Sequence, residues 1–435
     1  MSATKAAPPP VQTPAGKPTE AGQAVQATTP RTVAPRNQAS SAQRVMRISL
    51  ASVVVTLLVA ILGFAAAQNQ AAGMDRATSS SDRVLSVMAV HSALLEADGA
   101  ATNAFLVGGL EPQDRRAVYD QAIAEAAILL TELAGGADTD AELIAGLNVD
   151  LATYTSLVEA ARVNNRQGFP VGAAYLDQAS TLVREGMLPD LDAVLEIAAD
   201  DAAADFGTTN RAVVVVVVLV VAFVVLILCQ IRLARMTRRR LNAGLAIATV
   251  LMIVAFVAGA LTSVTAATSA AQVRTDGYRP TLAVAQSEVL AAEARTLESF
   301  TLIKRGSGAS YEQQFIEKTD EAMALLTGSD QDDLADLLQT WLDRHAEIRA
   351  LDDSGDWDGA VELAISDSED GPSAAYAAFE DAADAEVDEG AAEVSETLQD
   401  AAGSARLASW VLAVTGVLAA FACWRGTAAR REEYR

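Results

Sequence analysis

Four long apolar runs divide the chain and constrain its fold more than any other feature. Each is 18 to 24 residues long and contains no charged residue. A helix that rises about 1.5 Å per residue needs roughly 20 such residues to cross the hydrocarbon core of a bilayer. We therefore predict four transmembrane helices, with uncharged runs at 50–67, 212–231, 241–264 and 407–424.

Charged residues are segregated along the chain. The short segments beside the apolar runs carry 15 basic and 3 acidic residues, whereas the long segments 68–210 and 265–406 contain the other 53 acids. Lys and Arg in short segments beside the spans mark the cytoplasmic side of a membrane. We therefore expect a multi-pass plasma-membrane protein with both termini in the cytoplasm and both long segments outside it. The net charge of −24 is then a property of the outer face.

These boundaries define nine predicted segments. They are a disordered cytoplasmic arm (1–46), a first span (47–67), a first extracytoplasmic bundle (68–210), a second span (211–231), a basic cytoplasmic loop (232–240), a third span (241–264), a second extracytoplasmic bundle (265–406), a fourth span (407–424) and a cytoplasmic tail (425–435). The arm has too few large apolar side chains to offset chain entropy, and it is either solvated, bound to anionic lipid or docked on a partner. Cleavage of the first span as a signal peptide is the less favoured alternative, because the segment before it is too long for one.

The two long segments show an internal repeat. The pairs matched at an offset of 187 are Tyr154 and Trp341, Arg162 and Arg349, Gly168 and Gly355, Gly172 and Gly359, and Ala173 and Ala360. Ser92 and Phe105 match Ser287 and Phe300 at an offset of 195. We interpret the repeat as an old duplication of one fold.

Both long segments have the apolar spacing of amphipathic helices. Large apolar residues recur at steps of three and four, and breaks with Gly or Pro separate four or five such stretches in each segment. The predicted fold is an all-α membrane protein with four transmembrane helices and two tandem extracytoplasmic helical bundles. In each antiparallel bundle the first and last helices are expected to continue into the spans.

Arg162 and Arg349 are the candidate partner-binding residues of the outer segments. Each lies two turns after the matched aromatic residue, on a helix that then breaks. A guanidinium there is suited to pair with a carboxylate on a neighbouring helix or to receive an acidic partner. The ion pair that orients the turn is the preferred interpretation.

The basic loop between the second and third spans is the candidate contact on the inner side. Its arginines are Arg232, Arg235, Arg238, Arg239 and Arg240. They act as a topology signal and are also suited to bind anionic lipid or an acidic partner. Cys229 and Cys423 lie at the inner ends of two spans, which leaves the bundles without a disulfide framework.

Two other groups of residues invite a functional interpretation but favour a structural one. His91 and His345 lie on apolar helical faces, where a hydrogen-bonded core histidine is preferred over a pH switch. The acidic turn at 352–358 does not fit a calcium-binding EF-hand loop, because Ser354 and Ile365 occupy its first and last ligand positions.

The chain lacks the sequence patterns of most enzymes. We find no grouping of nucleophile and base, no P-loop and no His/Cys metal spacing, so we expect a non-enzyme without metal or cofactor and without a nucleic-acid partner. The uncharged spans also disfavour a channel or transporter, whose polar path needs charged or polar lining.

The long segments resemble the four-helix-bundle ligand-binding domains of bacterial chemoreceptors and sensor kinases. The resemblance rests on Arg349, Gly355-Asp356 and Gly359-Ala360, placed between helices that continue into the membrane. It implies a domain that senses small molecules or binding proteins. The arginines that hold an amino-acid ligand in chemoreceptors have no match here.

The whole architecture is similar to the GlnX family of actinobacterial membrane proteins. That resemblance implies a position between an extracytoplasmic amino-acid-binding lipoprotein and a cytoplasmic serine/threonine kinase, in a pathway that sets glutamate metabolism. The inner segments are too short to fold an output domain, which favours a non-enzymatic adaptor. The alternatives are a structural scaffold of the envelope and a direct chemoreceptor-like sensor, and a homo-oligomer is left open.

Overall fold

The structure of the chain is a computed structural model. It describes residues 41–107, 111–135, 140–167, 171–208, 243–304, 306–366 and 368–432, with isolated residues between 217 and 235. Every regular element in these ranges is helical, which confirms the predicted all-helical class. Most of the predicted arm and of the second predicted span lies outside the described residues.

Eleven α-helices are described. They are α1 (Ser41–Val107), α2 (Gln113–Ala134), α3 (Ala141–Arg166), α4 (Val171–Leu182), α5 (Leu188–Thr208), α6 (Ala243–Gln272), α7 (Arg279–Ile303), α8 (Ala309–Gly328), α9 (Asp332–Asp353), α10 (Trp357–Ala364) and α11 (Pro372–Glu432). Two π-helical turns, Val183–Met187 and Val273–Tyr278, join α4 to α5 and α6 to α7.

The helix α1 runs without a break from the first apolar run through the first acidic segment. At 1.5 Å per residue its 67 residues extend about 100 Å, roughly three times the thickness of the hydrocarbon core. It begins at Ser41, so residues 41–46 of the predicted arm are helical. One rigid element therefore links an apolar run to the far end of a bundle.

The first bundle consists of the second half of α1 together with α2, α3, α4 and α5. The helices α4 and α5 form one continuous stretch through the π-helical turn, so the bundle has four antiparallel helical segments. Apolar side chains spaced by three and four residues fill its centre, and Leu94, Leu147, Tyr154 and Leu191 are fully buried there. Removing a side chain of this size from water stabilises the fold by about 1.5 to 3 kcal/mol.

The second bundle consists of α7, α8, α9, the short helix α10 and the first part of α11. Trp341 is its central residue and meets Phe315 and Tyr376 edge-on, with ring centroids 5.4 and 5.1 Å away. The helix α9 ends before Gly355, whose φ of +90° lies in a backbone region that favours glycine.

The two bundles have the same order of helices, apart from α10. Tyr154 on α3 and Trp341 on α9 both fill the bundle centre. Arg162 and Arg349 follow them by two turns, near the ends of the same two helices. The residues matched by the repeat therefore occupy comparable places, and the duplication itself stays a prediction.

Three helical stretches in the described part are long and apolar enough to cross a membrane. They are Ser49–Val107, Ala243–Ile303 and Pro372–Gly426. Of the second predicted span, residues such as Val217, Val220 and Val221 are described, and these three are helical and exposed. Four spans therefore stay a prediction.

The apolar ends of α1, α6 and α11 pack together. Gly416 of α11 lies so close to Ala60 of α1 that a Cβ atom at position 416 would overlap the Ala60 side chain. Ala255 of α6 and Ala420 of α11 are also buried. Small side chains thus let the backbones of these helices approach one another.

The two bundles pack side by side through α1 and α7. Ala292 of α7 belongs to the apolar core of the first bundle. Farther along, Lys304 Nζ lies 2.7 Å from Asp177 Oδ1 of α4, and Arg115 of α2 donates to the carbonyl of Ile365 at 2.5 Å. The bundles are therefore joined along α1 and at one end.

Candidate functional site

Arg162 lies at the first tip, the end of the first bundle where α1 and α3 end and α2 and α4 begin. Its side chain is only 11% exposed. Nη2 donates to Glu111 Oε1 and Nη1 to Glu159 Oε1, both at 3.0 Å. The guanidinium carbon also stacks 4.1 Å from the centroid of the Tyr119 ring. Arg162 thereby ties α3 to the connection that precedes α2.

A second arginine extends this ionic network on the solvent side. Arg116 of α2 donates to Glu159 Oε1 at 2.8 Å, so one carboxylate bridges Arg116 and Arg162. Burial raises the pKa of Tyr119 well above its ordinary value, which keeps the phenol under the guanidinium neutral. The network is therefore anchored on an uncharged aromatic face.

A cavity of about 160 Å³ opens beside this network. Its floor is apolar and its polar rim carries Arg116, Arg162, Arg166, Asn165 and Glu111. Asn165 is held by a hydrogen bond from its Nδ2 to the Phe105 carbonyl at 3.3 Å. Guanidinium and carboxylate groups above an apolar floor are suited to hold a small polar molecule or an acidic side chain of a partner.

Arg349, the matching arginine, lies at the second tip, the end of the second bundle where α7 and α9 end and α8 and α10 begin. Its Nε is 3.4 Å from Glu312 Oε2 of α8, whereas Nη1 and Nη2 donate to Asp352 and Asp353 of its own helix at 2.7 and 2.8 Å. Asp353 is 72% exposed. Arg349 is therefore held mainly by two carboxylates one turn away on its own helix, of which Asp352 is 23% exposed and Asp353 is solvated.

The second tip is covered where the first is open. Trp357 of α10 donates its indole N–H to the Leu302 carbonyl at 3.0 Å, and Ile348 is fully buried between α7 and α10. The position that matches Ile348 at the same offset is Ala161, which lines the cavity of the first tip. The methyl side chain of Ala161 is smaller than the butyl side chain of Ile348 and leaves space for the cavity at the first tip.

The acidic turn beside Arg349 has structural roles. Asp356 caps α10, because its Oδ1 accepts a hydrogen bond from the Gly359 N–H at 3.1 Å. Asp352 and Asp353 bind Arg349. Within the described residues no group of three or more His, Cys, Asp or Glu side chains is arranged to hold a metal ion.

The inner candidate contact is described only in part. Arg232 and Arg235 are helical and exposed. Arg238, Arg239 and Arg240 lie outside the described residues, as does Cys229, and Cys423 is buried among the apolar ends of the long helices.

Sequence reasoning missed several buried acids. Asp98 of α1 is fully buried and accepts hydrogen bonds from Ser180 Oγ at 2.7 Å and Tyr154 OH at 3.3 Å, and burial raises its pKa to about 6. Glu288 of α7 is 7% exposed between the bundles. The sequence did contain a signal for their burial. Each acid occupies a position that the three- and four-residue spacing of apolar residues assigns to the buried face of its helix.

One comparison with known families concerns the first bundle. Residues 73–207 match the family described as Actinobacterial sensor domain. The match covers the second half of α1 and reaches the last turn of α5, so it contains the first tip and its cavity. No curated protein and no solved structure matches the chain. The matched segment supports a sensing or signalling role.

Proposed function

We propose that the chain is a non-enzymatic transmembrane signalling adaptor that relays an extracytoplasmic amino-acid signal to a cytoplasmic serine/threonine kinase. The observation that supports this most is the continuity of α1, which joins a membrane-span candidate to the tip of a sensor-type bundle. A displacement at one end of a rigid helix moves its other end. The sensor match and the all-helical architecture favour sensing over catalysis.

In the proposed arrangement four spans hold two duplicated bundles outside the plasma membrane and both termini inside it. The segregation of basic residues to the short segments supports this orientation. The first tip, with Arg162, is the proposed contact for an amino-acid-binding lipoprotein. Arg349 at the second tip is the weaker candidate, because it is held by carboxylates of its own helix.

The contact at the first tip is tested by site-specific crosslinking in cells. A photo-crosslinking residue at Val163, 41% exposed on α3 beside Arg162, is expected to capture a lipoprotein. The matched control is Val149, which is 66% exposed in the first half of α3, about four turns away from Val163. Equal capture at both positions, or none at position 163, would contradict the proposed contact.

The inner contact is tested by charge removal in the basic loop. Replacing Arg238, Arg239 and Arg240 with Gln is expected to lower recruitment of the kinase to membranes at unchanged protein level. The same three positions changed to Lys keep the charge and serve as the control. Full recruitment by the Gln variant would contradict a kinase contact and leave the loop as a topology signal or a contact for anionic lipid.

The cavity favours a second candidate function, direct sensing of a small molecule at the first tip. Calorimetric titration of amino acids into the full chain in nanodiscs tests it. Ala161→Ile places at this position the side chain found at the covered second tip, and it is expected to abolish binding. Binding that survives the substitution, or no binding to the unaltered chain, would exclude the cavity as the ligand site.

A further inference from the structure

Carboxyl groups are buried in the contact between the two bundles. Glu288 of α7 is 7% exposed and faces α1, where Ser92 Oγ donates a hydrogen bond to its Oε1. Its second hydrogen-bond partner is Asp384 of α11, at the solvent edge of the contact. When two carboxyl groups are hydrogen-bonded to each other they share a proton. Two ionised carboxylates in the same place would have no donor between them and would repel each other.

More acids surround this pair than cations. We name the set the carboxyl junction: Glu96 of α1, Glu125 of α2, Glu288 of α7, and Glu380, Asp381, Asp384 and Asp388 of α11. Among the described residues, Arg295 of α7 is the cation that acts on these acids, and it is stacked 4.1 Å from the centroid of the Tyr376 ring. Full ionisation would leave several like charges against one guanidinium.

The remaining charged groups on the neighbouring faces do not compensate the junction. Lys318 of α8 is paired with Glu293 of α7 at 2.7 Å. Burial lowers the pKa of His91 on α1, so this imidazole is neutral at pH 7 and above. Ionisation of Glu288 therefore destabilises the contact between the bundles.

We propose that the carboxyl junction is a proton-binding site that controls the packing of the two bundles. While Glu288 and Asp384 share a proton, α1, α7 and α11 stay in contact. When that proton leaves, repulsion between the two carboxylates, with Glu96 and Glu380 behind them, loosens the first bundle from the second. Proton concentration then becomes an input to any process that depends on the relative position of the bundles.

The direction of the pH effect follows from the acids involved. Burial, and then the charge of Asp384, raise the pKa of Glu288 to about 8, and burial with the charge of Glu380 raises that of Glu96 to about 7. An acid whose pKa is raised in the packed state weakens packing progressively as the pH rises from the acid's ordinary pKa of 4.5 to its packed-state pKa, and adds no further pH dependence above that. Contact between the bundles is therefore expected to be tightest below pH 4.5, to weaken as the pH rises, and to be weakest at pH 8 and above.

Distance measurements on the full chain in nanodiscs test the proposal without any signalling partner. Nitroxide labels are placed at Val149→Cys on α3 and Ile316→Cys on α8, which are 66% and 43% exposed, after both native cysteines are replaced by Ala. Between pH 5 and pH 8 the equilibrium constant for packing should fall by up to about 1,000-fold, tenfold per pH unit. Electron–electron double resonance should then show a distance distribution that lengthens or broadens over this range and changes no further above pH 8.

Three variants assign the effect. Glu288→Gln keeps the shape of the protonated acid and should remove most of the pH dependence, and Asp384→Asn removes a repelling charge and should keep the bundles in contact to a higher pH. Glu396→Gln, on α11 but outside the junction, should behave as the unaltered chain does.

Either of two results would overturn the proposal. One is an unaltered chain with the same distance distribution at pH 6 and pH 9. The other is a Glu288→Gln chain with the full transition. Because no kinase or lipoprotein takes part, these outcomes are independent of the proposed relay.

Discussion

At the scale of single residues, His345 is a buried cation held between two carboxylates. Nδ1 lies 2.8 Å from Glu298 Oε2, Nε2 lies 3.3 Å from Glu312 Oε2, and the ring stacks on Phe315 at 3.7 Å between centroids. Burial alone would lower the pKa of His345. The hydrogen bonds to both carboxylates and their charges outweigh burial and raise it to about 9. The imidazolium therefore joins α7, α8 and α9 at neutral pH.

We predict that His345→Gln makes the stability of the second bundle less dependent on pH. Because the folded pKa of His345 is above its unfolded value of 6.5, its stabilisation is complete below pH 6.5 and is lost as the pH rises through 9. The variant should lose about 2 to 3 kcal/mol at pH 6 and much less at pH 9.5. Urea unfolding in detergent, followed by circular dichroism, measures both values, and equal losses would contradict the assignment.

The two matched arginines should differ in their contribution to stability. Arg162→Ala leaves Glu111, which is 16% exposed, without its cation and should cost about 1 to 3 kcal/mol. Arg349→Ala is the matched control and should cost less, because Asp353 is solvated and Glu312 keeps its bond to His345. Thermal unfolding of the full chain compares them, and a larger loss for Arg349→Ala would reverse the ranking.

At the scale of elements, close contact between long helices determines how the apolar ends assemble. Helix α11 packs along both α1 and α6. Gly416 meets Ala60 of α1 without room for a Cβ, and Gly244 of α6 approaches the backbone of α11 at Ala422 and Gly426 in the same way. Small residues stabilise this packing because they let the helix backbones make dispersion contacts with one another in place of contacts with lipid.

We predict that Gly416→Ala destabilises the assembly of α1 with α11. One methyl group added at a filled position costs about 1 to 3 kcal/mol through overpacking. Gly403→Ala on the same helix is the control, since no atom lies within 4 Å of its added Cβ, and it should stabilise α11 by up to about 1 kcal/mol. The fraction of detergent-solubilised chain that stays monodisperse on heating reports both, and identical curves would refute the close contact.

At the scale of the whole molecule, the bundles share surfaces that neither would expose alone. Ala292 of the second bundle completes the core of the first. The salt bridge between Lys304 and Asp177 and the bond from Arg115 to Ile365 join the tips. We therefore expect a rearrangement at the first tip to shift the second bundle as well as α1.

Topology is testable with single cysteines in a chain without native cysteines. Membrane-impermeant maleimide should label Val149→Cys and Ile316→Cys on intact cells, because both bundles are expected outside. Thr237→Cys and Thr427→Cys should be labelled only after permeabilisation, because the positive-inside rule places both in the cytoplasm. Labelling of only one bundle from outside would show that the second predicted span does not cross.

Much of the local structure was predictable from the sequence, and most of the site was not. The spacing of apolar residues predicted the helices, and the repeat singled out Tyr154, Trp341, Arg162 and Arg349 before any contact was known. It did not predict that Ala161 would leave a cavity where matching residues at the second tip close one. That difference depends on α10, whose placement follows from tertiary packing.

The sequence by itself determined the helical class, the apolar runs and the segregation of charge, because hydropathy, spacing and net charge are local properties. Only the tertiary structure decided which charges meet. Arg162 and Glu111 are 51 residues apart, and Ser92 and Glu288 are 196 apart. Such pairs form only when the helices pack, and the free energy of burying an acid depends on that packing. The carboxyl junction therefore depends on the tertiary structure and cannot be identified from any one segment of the sequence.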